Sequence, residues 1–490
     1  MDQRPATRWH LHRWTERPVL AVAWISFASG VGQFGAVSAL GDVAKTFGHI
    51  ASGATVSDQA GLSGTSLGLG LAVIRLAALG ALPLAAMADK FGRRSVLLAV
   101  SAIGLTITLL AAASPGYWWF VVIFATGRPL LTATNSLCSV SAAELTASKE
   151  RAKAMALVAA AYGVGAGVTA IAHSLAGSTL GFRGICLLAA VPLATLPFVA
   201  RSLQEPERFA DMAEDTPAGS AGDRDHKAAV STKSSAAREA APAPGGTAPA
   251  APEDENAASF GGADFASLYS MGHHRMRRAM IAATKPPYRN RLAIVALLGF
   301  FLSVVTGPAN GFVFLFAQNV EHLSGSVTAL MVVVAGAAGL GGLLVGRYAA
   351  DRIGRKPTAM LTMMIMSLLG IVTYSGTRIA LFVGYVSAVG VASIFAPAAA
   401  ALANELFPTE VRASVGGWQA AAGVVGAAVG LVVFGEVADI GNRFAIAATA
   451  TFLPTVVVAL AFLLLPETKG LEPEDLWPAP QPEADPLASG

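Results

Sequence analysis

Long apolar segments separated by short polar ones run through most of the chain. Each segment is rich in Leu, Ala, Val, Gly and Ile and lacks the strict alternation of a barrel strand. About 20 mostly apolar residues form a helix that crosses roughly 30 Å of hydrocarbon. The pattern therefore predicts twelve membrane-spanning helices, with approximate bounds 18–40, 64–87, 95–113, 117–140, 153–176, 183–201, 291–318, 326–350, 358–376, 379–403, 412–436 and 442–465.

One long polar segment interrupts this pattern. Residues 202–290 are rich in Ala, Pro, Gly, Ser and charge, as in APAPGGTAPAAPEDEN. So little apolar surface cannot offset the entropy of ordering the chain, so most of the segment is predicted to be a disordered linker. Its basic end either lies on an anionic membrane surface or is an ordinary positively charged flank. The predicted domains are a first bundle (1–201), a second bundle (291–466) and a tail (467–490).

The two halves repeat each other. The string DKFGRR after the second span returns as DRIGRK after the eighth, 262 residues later. The string ELTASKER after the fourth span returns as ELFPTEVR after the tenth, 261 residues later. Because each half holds six spans, both halves enter the membrane in the same orientation. The sequence thus predicts a parallel repeat about an axis along the membrane normal.

Composition and charge placement support a membrane protein. The chain is 54% apolar, with a mean hydropathy of +0.57, which is typical of the membrane class. Lys and Arg concentrate at one end of the spans, which predicts that this end and both termini are cytoplasmic. The first span is expected to be a retained helix because it is too long for a signal peptide. Cys138 and Cys186 fall inside spans, so neither a disulfide framework nor a metal site is predicted.

The repeated motifs resemble those of the major facilitator superfamily. DKFGRR and DRIGRK resemble its signatures in loops 2–3 and 8–9, whereas ELTASKER, ELFPTEVR and PETKGLEPEDL resemble elements of its sugar-porter branch. The resemblance implies an all-α membrane protein of the major facilitator fold, with two six-helix bundles, a central cavity and alternating access. Hexose is not implied, because VTGPANGF in helix 7 and Ala399–Ala400 after Pro397 depart from the sugar-porter pattern.

The resemblance also implies a latch at the inner ends of the bundles. The positive-inside rule explains the Arg and Lys residues but not the repeated Asp-x-x-Gly-Arg pattern. Glycine permits the positive φ of a tight turn, and arginine pairs with carboxylates. The predicted latch residues are Asp89, Gly92, Arg93, Arg94, Glu144, Arg151, Asp351, Gly354, Arg355, Lys356, Glu405 and Arg412.

Two arginines within the spans are the main substrate-binding candidates, because a charged residue at membrane depth is costly. At 1.5 Å per residue, Arg75 and Arg128 lie about 21 and 24 Å from the predicted inner end. No acidic residue lies deep in the first six spans. The arginines therefore predict an anionic substrate, such as a carboxylate or phosphate ester. Alternatively, each binds helix carbonyls or braces its neighbours.

Three uncharged polar residues are further candidates. Gln33 and Tyr162 either line the cavity or pack between small residues. Asn310 follows Pro308, which breaks helix 7, and either offers its amide to the substrate or belongs to a plain kink. His173, Glu321, His322, Glu436 and Asp439 lie at the opposite ends of the spans, where solvated helix-end positions are expected.

These observations predict a secondary active transporter in the inner or plasma membrane. Its substrate is a small polar organic solute, an anionic metabolite or a sugar-like molecule. Proton coupling is implied by the resemblance alone, because the first span has no acidic residue. The expected partners are the substrate, protons and the bilayer, with no nucleic acid, cofactor or metal, and the chain is expected to be monomeric. The alternatives are an exporter of drugs or secondary metabolites and a non-transporting sensor. An enzyme is not predicted, because the sequence shows no nucleophile–base pair at membrane depth.

Overall fold

Twelve long helices make up almost all of the described chain. The computed structural model describes residues 11–49, 55–204 and 283–470, in which there is no β-strand. Most of the predicted linker and tail lies outside the described residues. The helices are α1 (Arg17–Ser38), α2 (Gly64–Ala77 and Ala81–Phe91, joined by the 3-10 turn Ala78–Gly80), α3 (Arg93–Leu110), α4 (Tyr117–Leu145), α5 (Lys149–Leu175), α6 (Gly181–Ser202), α7 (Arg289–Gly311), α8 (Gly325–Arg352), α9 (Arg355–Thr373), α10 (Arg378–Glu405), α11 (Thr409–Gly441) and α12 (Phe444–Val458, continued by the 3-10 segment Ala459–Leu464).

The helices are long and apolar enough to cross a membrane. Ten of the described helical segments meet this description by length and composition. The other two are α2, which is interrupted by its 3-10 turn, and α4, which contains Pro129 and several hydroxyl residues. The protein is therefore a multi-pass membrane protein, and the twelve predicted spans are confirmed to within a few residues.

Local sequence explains where several helices begin. The hydroxyls of Ser63, Ser324 and Thr377 accept hydrogen bonds from backbone N–H groups at the starts of α2, α8 and α10. Gly92 and Gly354, with φ of 89° and 121°, form the turns between α2 and α3 and between α8 and α9. Only glycine adopts such angles without strain, so the turns proposed for both signatures are present.

The two six-helix bundles pack in the same way. In the first bundle, a Cβ at Gly165 of α5 would lie 2.2 Å from the Phe27 carbonyl oxygen of α1. In the second bundle, a Cβ at Gly426 of α11 would lie 2.2 Å from the Phe300 carbonyl oxygen of α7. Gly165 and Gly426 are 261 residues apart, so the same close helix contact occurs in both halves. The predicted parallel repeat is confirmed by this packing.

The bundles meet through α2 with α11 and α5 with α8. We call the side on which α1 begins and α12 ends the terminal face, and the other side the opposite face. Gly64 begins α2 against Gly435 of α11, and Gly325 begins α8 against Ser174 of α5. A Cβ at Gly64 would lie 2.6 Å from the Gly435 carbonyl oxygen, and one at Gly325 only 1.6 Å from that of Ser174. The structure is therefore closed at the opposite face.

Candidate functional site

A small cavity lies between the bundles, midway along the helices. Its polar lining comes from the first bundle, with Gln33 on α1, Arg75 on α2 and Arg128 on α4. The second bundle contributes only small or apolar residues. The cavity volume is about 10 Å³, which is roughly the room for one water molecule. The cavity is therefore occluded in this conformation. Its remaining lining residues are Val37, Leu71, Ile74, Gly307, Gly311 and Leu431.

Gln33 is the centre of a hydrogen-bond network that joins three helices of the first bundle. Its amide nitrogen donates to the Ser29 hydroxyl at 2.8 Å and to the Leu131 carbonyl at 3.1 Å. Its backbone carbonyl accepts from Nη1 of Arg128 at 3.3 Å. Tyr162 of α5 donates its hydroxyl to the Gln33 side-chain oxygen at 3.5 Å. The structure thus brings three of the candidate residues, Gln33, Arg128 and Tyr162, together.

Arg75 differs from Arg128 in having no hydrogen bond to another described residue. The two guanidinium groups are close enough for their charges to repel each other, and Tyr162 interacts electrostatically with both. The cavity lining contains no Asp or Glu. Nε of Arg128 also has no partner among the described residues. Two cations therefore share a water-poor space with no protein anion to balance them, which is a binding environment for a ligand anion.

Helix α7 reaches the cavity through glycines and not through its amide side chain. Gly307 and Gly311 line the cavity, whereas the Asn310 side chain donates to the Thr306 carbonyl of its own helix at 2.9 Å. The structure therefore does not place Asn310 with the arginines in this conformation. The break expected at Pro308 is not seen, because α7 continues through it to Gly311. The Tyr374 hydroxyl lies 3.2 Å from the carbonyl oxygens of both Pro308 and Ala309. Tyr374 was not predicted from the sequence.

An acidic residue joins the two bundles at the opposite face. The Asp439 carboxylate at the end of α11 accepts hydrogen bonds from the backbone N–H groups of Gly64 and Thr65, at 2.7 and 2.8 Å, and from the Thr65 hydroxyl at 2.7 Å. The expectation that Asp439 is simply solvated was therefore wrong. A carboxylate fits this position because the first N–H groups of a helix have no partner within it.

His173 is also not the solvated residue that was expected. It is 1% exposed, and its Nε2 lies 2.8 Å from the Asp42 carboxylate. Close by, the Asn319 amide of the second bundle donates to the Gly41 carbonyl at 3.1 Å. The sequence does contain a signal for the contacts between the bundles at this face. LSGT at 62–65 returns as LSGS at 323–326, and both strings mark the helix starts at which the bundles meet.

The predicted latch residues of the first bundle pair within that bundle. Arg93 at the start of α3 lies 2.6 Å from Glu144 at the end of α4. Nε of Arg151 donates to the Ala143 carbonyl at 3.1 Å, and Arg94 donates to the Ala200 carbonyl. The side chain of Asp89 lies outside the described part of the structure. These contacts hold the ends of α3, α4, α5 and α6 together on the terminal face.

The second bundle repeats this arrangement. Arg355 forms an ion pair with Glu405, and Arg412 donates to the Phe407 carbonyl. Glu467, just after α12, accepts from the backbone N–H groups of Arg355 and Lys356 at 3.0 and 3.1 Å. Asp351 is exposed. Since these two ion pairs, Arg93 with Glu144 and Arg355 with Glu405, each join helices of one bundle, a link between bundles on the terminal face stays a prediction.

Comparisons with known proteins agree with this architecture. The family model of the major facilitator superfamily matches residues 22–350 and 339–486. No curated protein sequence matches the chain significantly. Similar solved structures include a D-xylose–proton symporter, with 18% identity, a TM-score of 0.61 and coverage of 93% of this chain and 99% of that one.

Two further solved structures have the same fold. The human organic anion transporter MFSD10 has 15% identity, a TM-score of 0.56 and coverage of 92% of this chain and 99% of its own. The nucleoside transporter NupG has 15% identity, a TM-score of 0.58 and coverage of 91% and 98%. Identities this low establish the fold alone, whereas the family model covers nearly all of both bundles. The chain belongs to the major facilitator superfamily and is a membrane transporter, not an enzyme.

Proposed function

We propose that this transporter carries a small organic anion, which binds between Arg75 and Arg128. The observation that carries the proposal is the guanidinium of Arg75, which faces the cavity and makes no hydrogen bond to another described residue. An unpaired charge at membrane depth is costly, and a carboxylate or phosphate oxygen would offset that cost through charge-assisted hydrogen bonds. Arg128 adds a second cation, positioned by the Gln33 carbonyl.

The substrate class rests on these two arginines. One of the similar structures is an organic anion transporter and others carry a sugar or nucleosides, but their low identity gives no support to any one substrate. The uncharged lining includes Leu71, Ile74 and Leu431. A monoanion with a compact apolar body fits this surface better than a polyhydroxylated sugar, because apolar walls leave hydroxyl groups without partners.

The proposed transport cycle is alternating access. The bundles are closed at the opposite face, and the cavity is too small for an organic solute, so entry requires the bundles to rotate apart. On the terminal face, which we propose to be cytoplasmic, the charged ends of the bundles would exchange some partners as that face closes. We also propose that the transporter works as a monomer and couples transport to protons.

A ligand-induced thermal-shift screen tests the substrate class. Purified protein is heated with carboxylates, aromatic acids, phosphate esters and neutral sugars, and the screen is repeated with Arg75→Gln. We expect one or more anions to raise the Tm of the wild type and to lose most of this effect in the variant. Arg443→Gln is the matched control, because Arg443 is exposed and lies between α11 and α12. Stabilisation by neutral sugars alone would refute the anion proposal.

A further inference from the structure

A histidine–aspartate pair lies away from the cavity, at the opposite face. His173 is two residues from the end of α5, and Asp42 lies on the short helix Leu40–Phe47 that follows α1. The imidazole is 1% exposed, whereas the Asp42 side chain is 16% exposed. The pair is thus reachable from the opposite face through the carboxylate, while its histidine is sealed inside.

The pair lies at the contact between the bundles. Gly41, next to Asp42, accepts through its carbonyl from Asn319 of the second bundle. Ser174, next to His173, has its carbonyl oxygen packed against Gly325 at the start of α8. Both partners are therefore one residue from a bundle–bundle contact. Separation of the bundles at this face would expose the imidazole to water.

We propose that His173 and Asp42 form a proton-binding site that controls closure of the opposite face. In the closed structure Nδ1 of His173 is buried and has no partner among the described residues. A neutral imidazole that donates from Nε2 to Asp42 leaves only a weak acceptor unsatisfied. A protonated imidazole would bury an Nδ1–H donor with nothing to receive it, which is costlier. His173 and Asp42 both belong to the first bundle, so their attraction persists when the bundles separate. The difference between the states lies in the Nδ1–H group, and protonation therefore favours the open face, where water accepts this hydrogen bond.

The charged residues on the neighbouring elements are few, and the described ones lie away from the imidazole or have partners of their own. The short helix also carries Lys45, which is exposed. At the start of α6, the guanidinium of Arg183 lies 5.7 Å from the ring centre of Phe182. The first turn of α8 and the 3-10 turn Ala111–Ala113, both packed on α5, hold no charged residue. Glu321 and His322 precede α8, where the Glu321 carbonyl accepts from Arg378.

Distance measurements between labels on the two bundles test the proposal without a substrate. Trp118 and Ile379 are exposed at the opposite-face ends of α4 and α10, so W118C and I379C place one label on each bundle. We expect the open fraction to rise as pH falls from about 8 to 5, with the open-to-closed ratio changing by up to about tenfold per pH unit for one proton. An unchanged distance distribution over this range would overturn the proposal.

Three variants separate a proton site from a structural contact. His173→Gln keeps an amide donor for Asp42 but cannot titrate, so it should abolish the pH response and leave the protein closed at pH 8. Asp42→Asn should move the response to lower pH, because loss of the carboxylate charge makes protonation less favourable. His49→Gln is the control, because His49 is an exposed histidine on the same face. A pH response that survives in His173→Gln would overturn the proposal.

The proposal rests on alternating access but not on the substrate class. Arg75→Gln should lose stabilisation by anions and keep the pH response, whereas His173→Gln should do the reverse. Loss of both properties in His173→Gln would indicate a general structural defect and would contradict a specific proton site. Failure of every anion to stabilise the wild type would refute the proposed substrate and leave the pH measurement unaffected.

Discussion

Removal of the Asp439 carboxylate should open the opposite face. Asp439 is the one described side chain of α11 that accepts from both Gly64 and Thr65, at the start of α2 in the other bundle. When the bundles separate, the carboxylate and the helix start must exchange these hydrogen bonds for water. Asp439→Asn keeps the shape of the side chain and one acceptor oxygen, but it removes the charge and the second acceptor.

The size of the effect follows from the three hydrogen bonds. A hydrogen bond to a charged group contributes about 1.5–3 kcal/mol net, and loss of a helix N-terminal cap costs about 0.5–2 kcal/mol. Because the variant retains part of the contact, we expect a loss of about 1.5–3 kcal/mol for the closed form. Since about 1.4 kcal/mol corresponds to a factor of ten, the open-to-closed ratio should rise roughly tenfold to 150-fold.

Alkylation of a buried cysteine measures this ratio even when the open form is rare. Ser174 is 6% exposed and packs against Gly325, so a cysteine in Ser174→Cys reacts only when the opposite face opens. Cys138 and Cys186 are replaced by alanine to remove the native thiols. When closure is faster than alkylation, the reaction rate is proportional to the open population, so Asp439→Asn should react at least about tenfold faster.

The control is Glu436→Gln, which removes an exposed carboxylate from the same helix. It should react at the wild-type rate, because its charge lies outside the contact between the bundles. Equal rates in the wild type, Glu436→Gln and Asp439→Asn would refute the reasoning. That result would mean that glycine packing alone holds the opposite face closed.

Three other predictions concern packing and charge. Gly165→Val should lower the Tm strongly or prevent folding, because its Cβ would lie 2.2 Å from the Phe27 carbonyl oxygen, while Gly163→Val should have little effect because nothing lies within 4 Å of a Cβ there. Glu467→Gln should reduce the free energy of unfolding by about 0.5–2 kcal/mol, measured by denaturation in detergent, because it weakens the cap on α9. Arg93→Met should destabilise the protein more than Arg93→Met combined with Glu144→Met, since the single change removes the arginine that pairs with a partly buried carboxylate. A double variant as unstable as the single one would contradict this.

The sequence predicted the fold well because the membrane restricts the choices. Apolar segments of about 20 residues have few structures open to them in hydrocarbon, and the repeated DKFGRR and DRIGRK strings fixed the relation of the halves. The similar depths counted for Arg75 and Arg128 agree with the structure, since both line one cavity. Depth follows directly from residue counting along a helix, which rises by a fixed distance per residue.

The rotation of side chains about each helix was harder to predict. Asn310 and Gly311 are adjacent in the chain, yet Gly311 lines the cavity and the Asn310 amide bonds to its own helix. Helix α7 continues through Pro308 to Gly311, so Gly307 and Gly311, four residues apart, share one face, whereas Asn310 lies about 100° from Gly311 around the helix. A depth counted along a helix does not report which face a side chain occupies. Long-range pairs such as Asp439 with Gly64 depend on how two bundles meet, which helix periodicity does not report.

The repeat is symmetric where the bundles move and asymmetric where the proposed substrate binds. Gly64 and Gly325 are 261 residues apart and close the two bundle contacts of the opposite face in the same manner. At the same offset, Arg75 corresponds to Gly336 and Arg128 to Val389, so the second half has no matching charge. Symmetric contacts let both bundle contacts of the opposite face close in the same way, whereas a site charged on one side only holds an anion in one orientation. The first bundle would therefore bind the anion, and the second would close over it with small residues.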